Sequence, residues 1–136
     1  ETSKKEFIVN YNQNSNSLNI IKSLEIVYGF RNFIGNANKF SKSKIFITIK
    51  SNNVFTEVII EDDGEGYPKD VLSKIGEPYI KSLKSSTKSK SGLGLGVFIG
   101  KTLLEKNYAI ILCRNSKTRS GAEVSIKWDN KNLINL

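Results

Sequence analysis

The chain has 136 residues, 38% hydrophobic and 25% charged, which is the size and composition of one soluble globular domain. No apolar run approaches the roughly 20 residues of a membrane span, and the opening "ETSKKEFIVN" lacks the apolar centre of a secretory signal. The count of zero histidines excludes His-ligated zinc and Ser-His-Asp chemistry, and the net charge of +8 comes from lysines spread along the whole chain rather than gathered into a nucleic-acid groove.

In chain order, "EFIVNYN" predicts an edge strand. From Ser23 to Phe40 the recurrence of Phe30, Phe33, Ile34, Ala37 and Phe40 predicts a helix with one face in the core. "KIFITIK" and "VFTEVIIEDD" alternate with period two, are rich in β-branched residues and are joined by "SNN", the pattern of an antiparallel hairpin. In the second strand Val54, Thr56, Val58, Ile60 and Asp62 fall on one face, so an acid ends a largely apolar row. "KDVLSKIG" after Pro68 predicts a short helix, followed by a lysine- and serine-rich stretch with the composition of a mobile loop. Leu95, Phe98, Ile99, Thr102 and Leu103 predict a further helix stopping at Asn107, and "YAIILC" and "AEVSIKW" close the chain as strands around a turn at 115–121. The lone Cys113 reads as a buried small hydrophobe. The fold class is α/β: a two-layer sandwich with a mixed, mostly antiparallel sheet and helices on one face, in a single domain over 1–136.

Three groups of residues carry candidate chemistry. "DDGEG" leaves a strand, and its glycines let the chain pass close to a flat ligand whose exocyclic amine a carboxylate at Asp62 would accept. On its own the same stretch reads equally as a surface turn. Gly92, Gly94 and Gly96 run into a helix, where unpaired amides and the helix dipole favour phosphate; the plain alternative is a hinge. Asn32 and Asn36 share a helix stripe with Lys39 adjoining, and amide oxygens can ligate a hard cation such as Mg²⁺, although helix asparagines are more often solvated. Two known phosphate motifs are absent: Leu95 stands where a P-loop ending at Gly100-Lys101-Thr102 needs glycine, and Ile99 breaks GxGxxG.

The order "RNFIGNANKF", "DDGEG", loop, "GLGLG" and helix resembles the catalytic, ATP-binding domain of sensor histidine kinases, a branch of the family shared with gyrase, Hsp90 and MutL, over roughly residues 25–128. "GEPYIKS" and "GLGLGVFIGKTLLE" look most like the redox-responsive Reg/Prr-type kinases. The resemblance implies a Bergerat-type ATP-binding fold with a mobile ATP lid at about 67–96, in a fragment of a longer kinase. It implies Mg²⁺ at Asn36, phosphates approached by Asn32 and Lys39, Phe40 at the border of the base, and Asp62 on the adenine amine. Gly64 and Gly66 would shape that pocket; Gly92, Leu93, Gly94, Leu95 and Gly96 would close over the phosphates, with Leu95 and Phe98 as core of the lid helix and Glu77-Pro78-Tyr79 supporting a partner domain.

The expected reaction is transfer of the γ-phosphoryl group of Mg-ATP to a histidine on a separate dimerisation domain, with a response regulator downstream, in the cytoplasmic portion of a membrane-attached sensor. With no histidine of its own, the chain is expected to be inactive alone. Asn32 stands where ATP-hydrolysing relatives carry a glutamate base, which argues against rapid hydrolysis. Gly35 replaces an acid, and Ala122 replaces a threonine near adenine, so a non-catalytic interaction module that keeps the fold is the alternative of a different class.

Overall fold

A computed structural model of the chain describes residues 5–13, 23–74 and 93–134. Five strands form one sheet in the order β1-β2-β3-β5-β4. β1 (Glu6–Gln13) runs parallel to β2 (Lys44–Ser51), whereas β2 with β3 (Phe55–Asp62), β3 with β5 (Ala122–Asp129) and β5 with β4 (Ile110–Asn115) are antiparallel. The helices are α1 (Leu24–Phe40), α2 (Lys69–Leu72), α3 (Leu93–Lys106) and α4 (Asn130–Ile134).

Register explains the two faces of the sheet. Ile47, Ile60, Val124 and Cys113 lie in one cross-strand row, and Ile49, Val58, Ile126 and Ile111 in the next, and all of them but Ile49 belong to or pack against the core beneath the helices. Ile26, Phe33 and Ala37 of α1 and Val97 and Leu104 of α3 close this face into the core, with the Phe30 ring 5.8 Å from that of Trp128. The opposite face alternates into charge: Arg114 pairs with Glu123 at 2.6 Å, Arg119 lies 3.9 Å over the Phe46 ring, and Lys127 lies 4.2 Å over Phe55. One face is dry and the other wet, as alternation in an antiparallel sheet requires.

α1 starts where the Ser23 side chain accepts from Ile26 N–H, and ends where Lys5 Nζ donates to the carbonyls of Asn38 and Ser41. A cation on the last carbonyls complements the helix dipole. α3 lies against α1 without room for extra side-chain bulk: a β-carbon on Gly29 would stand 2.6 Å from the Leu104 side chain, and one on Gly100 2.8 Å from the Phe33 ring. At the far end Glu25 of α1 accepts from Lys106 and from Asn107 Nδ2, both at 2.9 Å, and the Lys106 hydrogen bond leads in holding its carboxyl below the usual range. The two helices therefore form one unit across the sheet.

Among the described residues the expected strands and helices are present, with four differences; most of the expected mobile lid at about 67–96, including its lysine- and serine-rich stretch, lies outside the described residues. Val54 precedes β3 and is exposed, because Asn52 accepts from the N–H groups of Val54 and Phe55 and turns the hairpin there. α3 begins at Leu93 rather than Leu95, so Gly94 and Gly96 belong to its first turn. Leu95 is 44% exposed and is not core; Val97 and Leu104 face the sheet instead. α4 was not expected: a five-residue polar stretch carries too little apolar periodicity, yet Leu133 is buried by tertiary contact.

Candidate functional site

β3 lies in the middle of the sheet, so its last residue emerges at the centre of one end of the sandwich. That residue is Asp62, only 4% exposed. Its Oδ1 accepts from Gly64 N–H at 2.8 Å and from Ala122 N–H at 3.2 Å. Ala122, which stands where the resemblance implies a threonine, thus contributes its backbone N–H to the aspartate. A β-carbon on Gly64 would stand 2.1 Å from the Phe40 carbonyl, so the end of α1 is pressed directly onto this turn.

The neighbouring Asp63 does something else. Its carboxylate accepts from the N–H groups of Lys42, Ser43 and Lys44 and from the Ser43 hydroxyl, stapling the α1–β2 connection. Burial pushes its pKa up, but these hydrogen bonds outweigh it and hold the carboxyl at about 2. Two adjacent acids therefore divide into one buried at the end of the central strand and one holding the scaffold.

Asn36 of α1 meets Gly96 of α3: a β-carbon at 96 would stand 3.1 Å from Asn36 Oδ1. The asparagine and glycine motifs are thereby brought into contact. Among the described residues, Asn36 Nδ2 is buried with no hydrogen-bond partner. Asn32 donates instead to the Tyr28 carbonyl at 2.9 Å, folding back on its own helix. Lys39 Nζ lies 5.4 Å from the centre of the Phe40 ring, and it is the Phe40 carbonyl that borders the Gly64 turn. Leu93 and Gly94 lie in the first turn of α3, and Gly92 and Glu77-Pro78-Tyr79 fall outside the described residues.

Sequence reasoning missed Tyr67, Asn115 and Gly121. Tyr67 N–H donates to Asn115 Oδ1 at 2.6 Å, and Asn115 Nδ2 donates back to the Tyr67 carbonyl at 3.1 Å. The Tyr67 ring is buried; burial, then its interactions with Cys113 and with the Asp62 carboxylate, push its pKa well above 10.0. Cys113 is half-buried rather than a plain core residue, and burial pushes its thiol up to about 11 despite the opposing influence of the Tyr67 hydroxyl. Such a thiol carries little thiolate at neutral pH. The available signal was the Asn in "CRNS", but asparagine before a turn is common enough to say nothing by itself.

A mixed sheet covered on one face by paired helices, with a buried aspartate where its central strand meets two glycine turns, defines an ATPase-like class. The chain belongs to the family described as histidine kinase-, DNA gyrase B- and HSP90-like ATPases, whose sequence profile matches residues 22–132. Within that family its relatives include sensor histidine kinases. It is 32% identical over 130 residues to the sensor histidine kinase RegB of Cereibacter sphaeroides, covering 85% of this chain and 28% of RegB. To a putative NtrY-like sensor histidine kinase of Rickettsia felis it is 34% identical over 90 residues, or 66% of this chain and 14% of the relative. The chain thus spans less than a third of these proteins.

Solved structures agree on the fold. The mycobacterial sensor histidine kinase MprB superposes with a TM-score of 0.68 at 20% identity, covering 89% of this chain and 83% of that one. The catalytic domain of histidine kinase ThkA gives 0.69 at 19% identity, with 90% and 80% covered. Full-length ShkA, solved in complex with AMPPNP, gives 0.66 at 20% identity, with 90% and 25% covered.

Proposed function

We propose that this chain binds Mg-ATP and donates the γ-phosphoryl group to a histidine on a separate dimerisation domain, as the cytoplasmic catalytic domain of a membrane-attached two-component sensor kinase. The observation that carries the nucleotide reading is Asp62. A carboxylate 4% exposed, oriented by two backbone amides, is suited to accept from an exocyclic amine such as that of adenine. Guanine would present a carbonyl there and leave the charge unmatched. Family membership and the AMPPNP complex of the structural neighbour ShkA support the same ligand class.

At the phosphate end, the residues present fit a cation and phosphates. Asn36 offers an amide oxygen of the kind Mg²⁺ accepts, and its buried Nδ2 suits a phosphate oxygen. Among the described residues no cluster of acids, cysteines or histidines could hold a metal alone, which accords with a cation that arrives with its nucleotide. Mg²⁺ would supply charge neutralisation across the phosphates. Lys39, Asn32 and the α3 start with Leu93, Gly94 and Gly96 would position the chain of phosphates, and positioning with neutralisation is the main contribution to phosphoryl transfer. In the step itself a neutral imidazole nitrogen attacks the γ-phosphorus, the bond to the β,γ-bridging oxygen breaks, and ADP leaves with that electron pair. The imidazole belongs to another segment or chain, since this sequence has no histidine. A response regulator would accept the phosphoryl group next.

Calorimetric titration of Mg-ADP, repeated with GDP and with Asp62→Asn, tests the reading. ADP should bind, GDP should not, and the substitution should weaken ADP by roughly 10- to 100-fold. Folded protein that ignores ADP would favour the interaction-module alternative, and sustained phosphate release from ATP would favour a hydrolysing relative.

A further inference from the structure

The strip of backbone that follows Asp62 is held at both ends, and the second hold comes from β4. Asn115, at the end of β4, pairs its side-chain amide with the N–H and carbonyl of Tyr67 at 2.6 and 3.1 Å, as a neighbouring strand would. Gly66 just before it has φ +82°, and a β-carbon there would stand 2.7 Å from Asn115 Oδ1. The chain must therefore reverse at a glycine for the amide to reach. Two residues earlier in β4, the Cys113 thiol interacts with the buried Tyr67 hydroxyl, so one strand bears on both the backbone and the ring of the same residue. At the other end of the strip Asp62 Oδ1 accepts from Gly64 N–H.

We infer that Asn115 is a positioning residue for the adenine end of the site, setting the path of Gly64–Tyr67 relative to the Asp62 carboxylate. It acts through the backbone of Gly66 and Tyr67, and it is remote in sequence from the asparagine, aspartate and glycine motifs. The inference rests on the nucleotide reading above. Two hydrogen bonds and a left-handed glycine fix where the pocket wall runs, so releasing them lets the wall drift from the base while the sheet stays intact. Asn115 is exposed at a strand end, and its replacement leaves the core cluster untouched.

The test compares wild type with Asn115→Ala, which removes both hydrogen bonds, and Asn115→Asp, which keeps only the acceptor. Mg-ADP affinity by calorimetry should fall about tenfold for the alanine variant and less for the aspartate variant. Amide hydrogen exchange should quicken at Gly64 and Tyr67 while Ile60 and Ile126 keep their protection. Gly66→Ala should weaken ADP less in the Asn115→Ala background than in wild type, since its clash with Oδ1 is gone. ADP affinities within twofold of wild type for both single variants would overturn the role, as would faster exchange spread evenly over the core with affinity unchanged. Wild-type protein that binds no ADP would overturn the nucleotide reading and this role together, whereas binding wild type with unaffected variants overturns this role alone.

Discussion

A β-carbon on Gly121 would stand 2.1 Å from Oδ1 of Asp62 and 2.2 Å from its carbonyl oxygen, so the glycine is what lets the aspartate sit buried at the end of the central strand. Gly121→Ala should cost about 1–3 kcal/mol or more, because backbone rather than a flexible side-chain tip must give way. Chemical denaturation reads the loss. Adding Asp62→Ala should not rescue it, since the clash with the carbonyl remains; full rescue would show that the side chain alone sets the constraint.

Asp63 should make acid stability pH-dependent in a defined window. Its carboxyl is held at about 2, below the ordinary 3.8, so the folded state favours the charged form. The stabilisation is complete above about 3.8 and is lost as pH falls towards about 2. In thermal melts the gap between wild type and Asp63→Asn should be constant above that window and shrink within it. A gap that persists unchanged to pH 2 would rule out the carboxylate as its source.

Cys113 should be a poor nucleophile. With its thiol pushed from the ordinary 9.0 up to about 11, alkylation by iodoacetamide at pH 8 should run about a hundredfold slower in native than in unfolded protein. Mass spectrometry of timed samples measures both rates. Equal rates would mean the thiol is neither shielded nor shifted.

Two substitutions should stabilise the fold. Gly35 lies inside α1, exposed, with nothing within 4 Å of its missing β-carbon, and Gly35→Ala should add about 1 kcal/mol. Tyr108, two residues past the end of α3, has φ 74° with its side chain 61% exposed, a left-handed position that favours glycine, and Tyr108→Gly should add about 1 kcal/mol. Urea denaturation checks each. The same open space at Gly35 means that an acid placed there would meet solvent rather than the core.

Element types and the principal motif residues were legible because their signals are local. A helix that repeats its apolar residues through Phe33 and Ala37, and strands that alternate through Ile45 and Ile60, declare which face is buried before any partner is known. Asp62 at the end of such a row, and Asn36 on the edge of such a face, could be singled out for the same reason. Leu95 misled because helical spacing tells that a residue can share a stripe, not which stripe is covered; in α3 that was decided by Gly100 against Phe33 and Leu104 against Gly29.

By itself, then, the sequence determined a mixed sheet under helices and marked three motifs as candidates for ligand chemistry, since backbone periodicity and glycine chemistry act within a few residues. Only the tertiary structure decided how those motifs are held. Asn115 grips Tyr67 from 48 residues away, Gly121 admits Asp62, and Asp63 staples residues 42–44. Each depends on β5 lying between β3 and β4 or on α1 ending beside the β3 turn. Strand order and helix placement minimise the free energy of the whole chain, and no local pattern encodes which distant amide will meet which carbonyl.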